Sequence, residues 1–316
     1  MNFSILLVLK DRSRYTKRLM NKWNSEKFPY KIWIADGGKD DTIASVLSDK
    51  SNFSNLDYEY IRYPFDATLQ DFHNKMASAV MKIDTDTTML MDNDDFIEVD
   101  GINRCVEILK DNSYCSARGL MQTVYGDNMY ELYPDSIIGS NAAERVIKQT
   151  QQFHSNWHNV ARTKYIQAMW KIIKIANPQN FRIVEQSTCY LNTVFGNSYR
   201  GDFPWMHHGQ SERIQLSSGT LQSHFPSQQE WINSGYWLEE FNKLTEMVGA
   251  AISYHDGVSI EDGLKIFREC YHFKLPELKD LLDIRVSQAF KLGYNYNKID
   301  QMLQVMQELN IEKAKT

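Results

Sequence analysis

The segment Met89–Phe96 reads Met-Leu-Met-Asp-Asn-Asp-Asp-Phe, so a short apolar run passes directly into three carboxylates. The run Thr88–Met91 predicts a buried strand, and Asp92, Asp94 and Asp95 follow at its carboxyl end. Carboxylates this close repel one another and raise one another's pKa values unless a cation neutralises them. Oxygen ligands of this kind suit Mg²⁺ or Mn²⁺. We therefore predict a divalent metal site at Asp92 and Asp94; the alternative is an acidic turn at the surface.

Outward from this segment, the first hundred residues alternate between strand-like and helix-like patterns. Short apolar, β-branched or aromatic runs recur roughly every 25 to 30 residues, as buried strands separated by helices do. The runs are Ile5–Leu9, Lys31–Ala35, Tyr58–Tyr63 and Thr88–Met91. Between them the apolar residues have helical spacing, as at Tyr15, Leu19 and Trp23. The alternation predicts an α/β fold with a mainly parallel, Rossmann-like sheet flanked by helices, in which ligands bind at the carboxyl ends of the strands.

The segment Ile34–Asp41 is the second candidate site. It follows the second predicted strand and precedes a predicted helix. Gly37 and Gly38 permit a tight turn and a close approach of the backbone to a ligand. Asp36, at the end of the strand, can accept hydrogen bonds from a base or a ribose hydroxyl. A plain turn uses the same residues, so both interpretations stay open.

The rest of the chain is less regular and becomes helical toward its C-terminus. Apolar spacing predicts three further elements: a strand at Ser116–Tyr125 and helices at Thr163–Ile175 and Gln186–Phe195. From about Ser227 onward the pattern is helical. We therefore predict an α/β domain over residues 1–225 and a helical C-terminal extension over residues 226–316.

The composition limits the classes of function. The 316 residues include 35 Lys and Arg against 40 Asp and Glu, and the net charge of -5 argues against broad nucleic-acid binding. The apolar runs are far shorter than the ~20 residues of a membrane-spanning helix, and the N-terminus has no basic leader or cleavage site. The four cysteines lack CxxC spacing and fit free thiols. We expect a cytoplasmic protein, and leave open a peripheral association with the inner face of the membrane.

Taken together, the two acidic segments resemble those of the bacterial, family-2-like glycosyltransferases of the GT-A fold. In that family an Asp-Gly-[Gly/Ser] turn follows the second strand and an Asp-x-Asp motif follows the fourth. This chain has Asp36–Gly38 and Asp92–Asp94 in that order. Arg12, after the first strand, and Asn74, before the acidic motif, also match positions that the family commonly fills. The resemblance covers about the first 125 residues well and the following 90 loosely.

The resemblance implies a metal-assisted transfer of a sugar from a nucleotide-diphosphate donor, with UDP favoured, to a hydroxyl of a glycan or glycoconjugate. Polysaccharide biosynthesis is the setting it implies, and the stereochemistry would be inverting, by a single in-line displacement. Mn²⁺ or Mg²⁺ would be the cofactor. The residues implied to bind the nucleotide are Arg12, Asp36, Gly37, Asn74 and Asp92. The residues implied to bind the metal are Asp92, Asp94 and one of His207 and His208.

The resemblance also implies a general base that deprotonates the acceptor hydroxyl. In the family this base is usually an Asp or Glu after the sheet core, at the start of a helix. Glu185 fits that place, because it follows Phe181–Val184 and precedes the helix predicted at Gln186. Asp127 and Asp202 are the alternatives.

Basic and aromatic residues farther along the chain suggest secondary roles. Arg200 and Arg213 would stabilise the leaving diphosphate. His154 and His158, which flank Trp157, would line the acceptor cleft, although core packing also accounts for the tryptophan.

Two other functions stay open. A nucleotidyltransferase of related fold, which makes sugar nucleotides, would also use carboxylates and a metal. A catalytically inactive module would bind a sugar or a protein without turnover. The C-terminal helices would shape the acceptor site, contact a membrane surface or form a homodimer, and nothing in their pattern decides among these.

Overall fold

The computed structural model describes residues 1–125, 128–132, 135–153, 155–208, 236–271 and 279–313. The strands are β1 (Phe3–Leu9), β2 (Lys31–Asp36), β3 (Tyr58–Arg62), β4 (Thr87–Met91), β5 (Phe96–Ile97), β6 (Tyr114–Tyr125), β7 (Asn128–Leu132), β8 (Val160–Arg162) and β9 (Asn197–His208). The helices are α1 (Ser13–Glu26), α2 (Asp41–Ser48), α3 (Leu69–Val80), α4 (Val99–Ile108), α5 (Ala142–Gln151), α6 (Thr163–Ala176), α7 (Phe181–Phe195), α8 (Tyr236–Asp256), α9 (Ile260–Tyr271), α10 (Lys279–Leu292) and α11 (Tyr296–Glu308). None of these described helices is both long and apolar enough to cross a bilayer.

The described strands form one nine-stranded sheet in the order β3-β2-β1-β4-β8-β6-β9-β5, with β7 beside β6. Strands β1 to β4 pair in parallel with one another, and β6 pairs in parallel with β9. Strand β8 lies between β4 and β6 and runs antiparallel to both. The prediction of a mainly parallel sheet flanked by helices is therefore confirmed, with β8 as a reversed strand near its centre.

Alternation of side chains along the strands separates two hydrophobic cores. On one face, Ile5, Leu7 and Ile34 pack with residues of α1, α2 and α4. On the other, Leu6 and Leu90 pack with residues of α3, α5, α6 and α7. The edge strand β3 is only partly buried, whereas β1 and β4 are covered by helices on both faces and are buried on both sides. Their apolar runs are accordingly continuous instead of alternating with polar residues.

The C-terminal helices enlarge the second of these cores. Trp237 and Phe241 of α8 are fully buried in the same cluster as Leu6 and Leu90 of the sheet. Asp256, at the end of α8, accepts hydrogen bonds of 2.8 and 3.1 Å from the first backbone N–H groups of α5. The helices from residue 236 onward thus share a core with the α/β part. The boundary between residues 225 and 226 lies outside the described residues and stays a prediction.

One helix begins earlier than predicted. We expected it to start at Gln186, after a sheet-core segment at Phe181–Val184, but α7 is continuous through both. Asn180 caps it, because its side chain accepts a hydrogen bond from the backbone N–H of Arg182. Glu185 therefore lies in the second turn of the helix and not at its start.

The shared core predicts that the C-terminal helices and the sheet unfold together. Phe241→Ala removes a fully buried ring from α8 and should lower the free energy of unfolding by about 3–5 kcal/mol. Leu292→Ala, at a position 58% exposed in α10, is the matched control and should change it little. Calorimetry should show one transition that moves as a whole in the Phe241 variant. Two transitions, of which only one moves, would contradict the shared core.

Candidate active site at the carboxyl edge of the sheet

The acidic segment lies at one edge of the sheet together with residues from two other strands. Strand β4 ends at Met91, so Asp92 begins the loop at its carboxyl end. Strand β8 runs in the opposite direction, and the residues that precede Val160 therefore lie at this same edge. Strand β9 ends at His208, after pairing with β5, the short strand that follows the acidic segment. Three separate segments thus bring side chains to the end of β4.

Asp95, His158 and His208 form a cluster at this edge, here called the Asp–His cluster. Nδ1 of His208 lies 2.7 Å from Oδ1 of Asp95, and Nε2 of His158 lies 3.4 Å from Oδ2 of Asp95. The same His158 nitrogen lies 3.9 Å from a carboxylate oxygen of Asp92. Nδ1 of His158 lies 3.1 Å from the carbonyl oxygen of Leu90, which orients the ring. One candidate ligand atom from each cluster residue lies within 4.8 Å of the others, close enough for them to share one cation.

Burial and mutual repulsion shift the pKa values of these groups. Burial raises the pKa of Asp95, and its hydrogen bond with His208 offsets part of the rise. The same hydrogen bond raises the pKa of His208, whereas burial lowers the pKa of His158. Withdrawal from water and then repulsion by Asp94 raise the pKa of Asp92 to about 6. The Asp92 side chain is still 42% exposed, so solvent weakens this effect.

Arg12 neutralises the second carboxylate of the motif. Its Nη2 lies 2.6 Å from Oδ2 of Asp94, and Nη2 of Arg18 donates a 3.2 Å hydrogen bond to the Asp94 carbonyl oxygen. Asp11 and Arg12 both adopt left-handed backbone conformations, with φ of 56° and 61°, which is uncommon for residues other than glycine. This turn and α1 therefore hold the acidic loop against the end of β1. Arg12, predicted to bind the nucleotide, and Asp94, predicted to bind the metal, are thus in direct contact.

Asp36 is buried, and its carboxylate is occupied by protein groups. Its Oδ1 accepts a 2.8 Å hydrogen bond from the backbone N–H of Gly38. Its Oδ2 accepts hydrogen bonds from the Tyr60 hydroxyl at 2.7 Å and from Nη1 of Arg62 at 2.8 Å. Burial is the main cause that raises the pKa of Tyr60 to about 12, so the phenol stays a donor. Asp36 thus fixes Arg62, whose side chain is 31% exposed at the end of β3.

A buried ion pair that sequence reasoning missed supports the same edge. Lys75 of α3 contacts Asp66, and both side chains are almost completely buried. Nζ of Lys75 also donates a 2.9 Å hydrogen bond to the carbonyl oxygen of Leu9, at the end of β1. A Cβ atom on Gly37 would lie 2.4 Å from the Asp66 carboxyl group, so only glycine fits there. The pair therefore ties together the loops that follow β1, β2 and β3.

The remaining predicted residues have other surroundings. His207 is 43% exposed, and its Nε2 lies 2.8 Å from Oε1 of Glu98, away from the Asp–His cluster. Asn74 lies on the exposed face of α3, where its Oδ1 accepts a 3.4 Å hydrogen bond from Gln70. Glu185 is half-buried on α7. Three further candidates lie outside the described residues: Asp127, His154 and Arg213.

His158 is the cluster residue that sequence reasoning assigned elsewhere, to the acceptor cleft. It precedes β8, and only the reversed direction of that strand places it at the end of β4. The sequence around it, Trp157-His158-Asn159, carries no metal-ligand spacing. To place His158 in the cluster from the sequence, one would have to predict a strand at Val160–Arg162 and its antiparallel pairing with β4.

The donor set of the Asp–His cluster fits a divalent metal ion. One carboxylate and two imidazoles converge, and Asp92 lies beside them. Imidazole nitrogen with carboxylate oxygen suits divalent transition-metal ions. His158 is already oriented by a backbone carbonyl through its other nitrogen, as metal-binding histidines commonly are.

Comparison with known proteins identifies the fold. No protein-family model matches the chain, and no curated protein matches it. Among solved structures, S. aureus TarS residues 1–349 in complex with UDP-GlcNAc matches with a TM-score of 0.58 and 12% identity, over 98% of this chain and 80% of that one. GalNAc-T7 with UDP, GalNAc and Mn²⁺ matches with a TM-score of 0.54 and 11% identity, over 99% of this chain and 55% of that one. The chain therefore has the GT-A glycosyltransferase fold, as predicted.

The two adjacent histidines provide a matched test of the cluster. His208→Ala removes an imidazole next to Asp95 and should weaken Mn²⁺ binding by about tenfold or more. His207→Ala removes an imidazole that faces Glu98 and should leave the affinity close to that of the wild type. Titration followed by the electron paramagnetic resonance signal of free Mn²⁺ measures both. An equal loss in the two variants, or a loss confined to His207→Ala, would contradict the assignment.

Proposed function

We propose that the chain is a metal-dependent glycosyltransferase that moves a sugar from a nucleotide-diphosphate donor to a hydroxyl of a glycan or glycoconjugate. The observation that carries this proposal is the Asp–His cluster beside Asp92 and Asp94, at the carboxyl edge of a GT-A sheet. In open α/β sheets this edge is where ligands bind. Carboxylates, imidazoles and arginines converge there, as binding of a metal and a diphosphate requires.

The proposed metal is Mn²⁺, held by Asp95, His158 and His208 with Asp92 beside them. When bound, it would neutralise charge on the donor diphosphate. Two nitrogen donors favour Mn²⁺ over Mg²⁺, which prefers an all-oxygen shell. Mn²⁺ in the GalNAc-T7 structure supports this choice. Of the histidines predicted as alternatives, His208 is the one we assign to the metal.

The proposed donor is a UDP-sugar. TarS was solved with UDP-GlcNAc and GalNAc-T7 with UDP, which supports a uridine nucleotide. We place the nucleoside against the loops that follow β1 and β2, with Arg12, Gly37 and Asp36 as predicted. Protein groups already donate hydrogen bonds to the Asp36 carboxylate. Its proposed role therefore includes holding Arg62 in place beside these loops. A role for Asn74 stays a prediction.

The proposed reaction is a single in-line displacement, which inverts the anomeric carbon. The acceptor oxygen forms a bond to that carbon as the bond to the diphosphate breaks, and Glu185 takes the hydroxyl proton. Glu185 lies between the buried residues Val184 and Gln186 on α7, a rigid helix of the second core. Asp202, exposed on β9, is the described alternative. The identity of the glycan and the cellular location stay predictions.

Nucleotide binding tests the donor assignment. Thermal unfolding with UDP, GDP, CMP, ADP or dTDP, each with and without Mn²⁺, should show the largest stabilisation with UDP and Mn²⁺ together. UDP without the metal should have a small effect, because the diphosphate then faces unneutralised carboxylates. A larger shift with GDP would contradict the uridine assignment. An equal shift without Mn²⁺ would contradict the metal.

Replacing the proposed base separates binding from transfer. Glu185→Gln keeps the shape of the side chain but cannot take a proton, so sugar transfer should fall by about 10²- to 10⁴-fold while UDP binding is retained. Glu261→Gln, on the exposed side of α9, is the matched control and should transfer at the wild-type rate. The readout is UDP release during turnover with an accepted glycan. Unchanged transfer in Glu185→Gln would move the role to Asp127 or Asp202.

A further inference from the structure

Two buried arginines lie side by side in the sheet, outside the site described above. Arg118 of β6 and Arg200 of β9 are register partners in neighbouring parallel strands. Arg118 is 3% exposed and Arg200 is 8% exposed. Side chains of register partners point to the same face of a sheet, so the two positive charges lie on one side of it.

The hydrogen-bond partners of both guanidinium groups are neutral. Nη1 of Arg118 donates to the Ser155 carbonyl oxygen at 2.8 Å. Nη2 of Arg200 donates to Oδ1 of Asn156 at 3.2 Å and to Oε1 of Gln149 at 3.0 Å, and its Nη1 donates to a backbone carbonyl. Nε and Nη2 of Arg118 and Nε of Arg200 are buried, and within the described part of the chain they have no hydrogen-bond partner. Three N–H-bearing nitrogens thus remain available around the pair.

The two charges have little counter-charge among the described residues, and Arg118 has the least. Asp135, whose backbone carbonyl oxygen accepts a hydrogen bond from Nη1 of Arg200, also acts on Arg200 through its carboxylate, without a hydrogen bond between the two side chains. No carboxylate acts in this way on Arg118 within the described part of the chain. Burial, and for Arg118 also the neighbouring arginine, lowers the pKa of Arg118 to about 9; burial lowers the pKa of Arg200 to about 10. Both therefore remain charged near neutral pH. A buried charge without a partner is strongly destabilising, whereas a bound anion would supply both the missing charge and the missing acceptors.

We propose that Arg118 and Arg200 form a binding site for a tetrahedral oxyanion, a phosphate or sulfate group. Such a group carries up to two negative charges, which match the two guanidinium groups. Its oxygens accept hydrogen bonds from several N–H groups at once, as phosphates bound by arginine do. Gln149 and Asn156 hold the Arg200 guanidinium in place for this contact.

The oxyanion site lies next to the candidate active site. Ser155 and Asn156, which contact the two arginines, directly precede the Trp157–His158 pair. Asn156 also contacts Cys189 of α7, one helical turn after Glu185. Within the proposed function, the oxyanion would then be the diphosphate of the donor or a phosphate group carried by the acceptor. The site itself is inferred from the arginines and does not depend on that function.

Phosphate binding to the intact protein tests the site directly. Inorganic phosphate, added at constant ionic strength against chloride, should raise the melting temperature with the logarithm of its concentration above Kd, by on the order of 5 °C near 100 times Kd. Arg118→Gln and Arg200→Gln should each weaken phosphate binding by about tenfold or more. Arg104→Gln, which removes an exposed arginine of α4, is the control and should bind phosphate like the wild type. No phosphate-dependent shift in the wild type, or an equal shift in all variants, would overturn the proposal.

A second measurement does not depend on the folding of the variants. Crystals of the wild type soaked in selenate should show an anomalous selenium peak beside both guanidinium groups, with selenate oxygens within hydrogen-bond distance of each. A peak only elsewhere would overturn the site. Two further arms identify the source of the oxyanion. If phosphate and UDP–Mn²⁺ exclude each other, the site receives the donor diphosphate. If their effects add and glycerol 3-phosphate binds more tightly than phosphate, the oxyanion belongs to a separate phosphorylated molecule.

Discussion

Three carboxylates at the end of one buried strand are the constraint on which this site depends. Left unneutralised, Asp92, Asp94 and Asp95 would repel one another and destabilise the loop that follows β4. Three other segments place cationic or protonatable groups beside these carboxylates: Arg12 after β1, His158 before β8 and His208 at the end of β9. A diphosphate could approach these carboxylates only through a bound cation. This repulsion is the physical basis of the proposed metal-dependent donor site.

The sequence alone predicts the elements and motifs that are recognised from neighbouring residues. The first four strands and the helix at Thr163 could be predicted because the pattern of neighbouring residues identifies each of them. The strands are short runs rich in apolar or aromatic residues, and the helix has apolar residues at helical spacing. The acidic motif was found for the same reason. The early start of α7 was missed because Phe181–Val184 is a short, mainly apolar segment that suits a strand as well as a helix. The Asn180 cap decides in favour of the helix.

Contacts between segments that are distant in the sequence could not be predicted from it. His158 reaches Asp95 only because β8 is inserted between β4 and β6 in the reverse direction, and no periodicity in a three-residue strand reveals its orientation. The hydrogen bond from Lys75 to the Leu9 carbonyl oxygen and the contact of Arg62 with Asp36 likewise join separate elements through the sheet order. The register of β6 with β9 pairs Arg118 with Arg200 in the same way. Sequence reasoning therefore supplied the carboxylates, and the topology supplied most of the groups around them.

The most direct test of the proposed metal site is a crystal structure with UDP and Mn²⁺, with the metal located by its anomalous scattering. We expect a manganese peak coordinated by Asp95, His158 and His208, with the nucleotide phosphates bound to the same ion and the uridine against the loops after β1 and β2. A manganese ion bound elsewhere, or a nucleotide seated away from the carboxyl edge of the sheet, would contradict it.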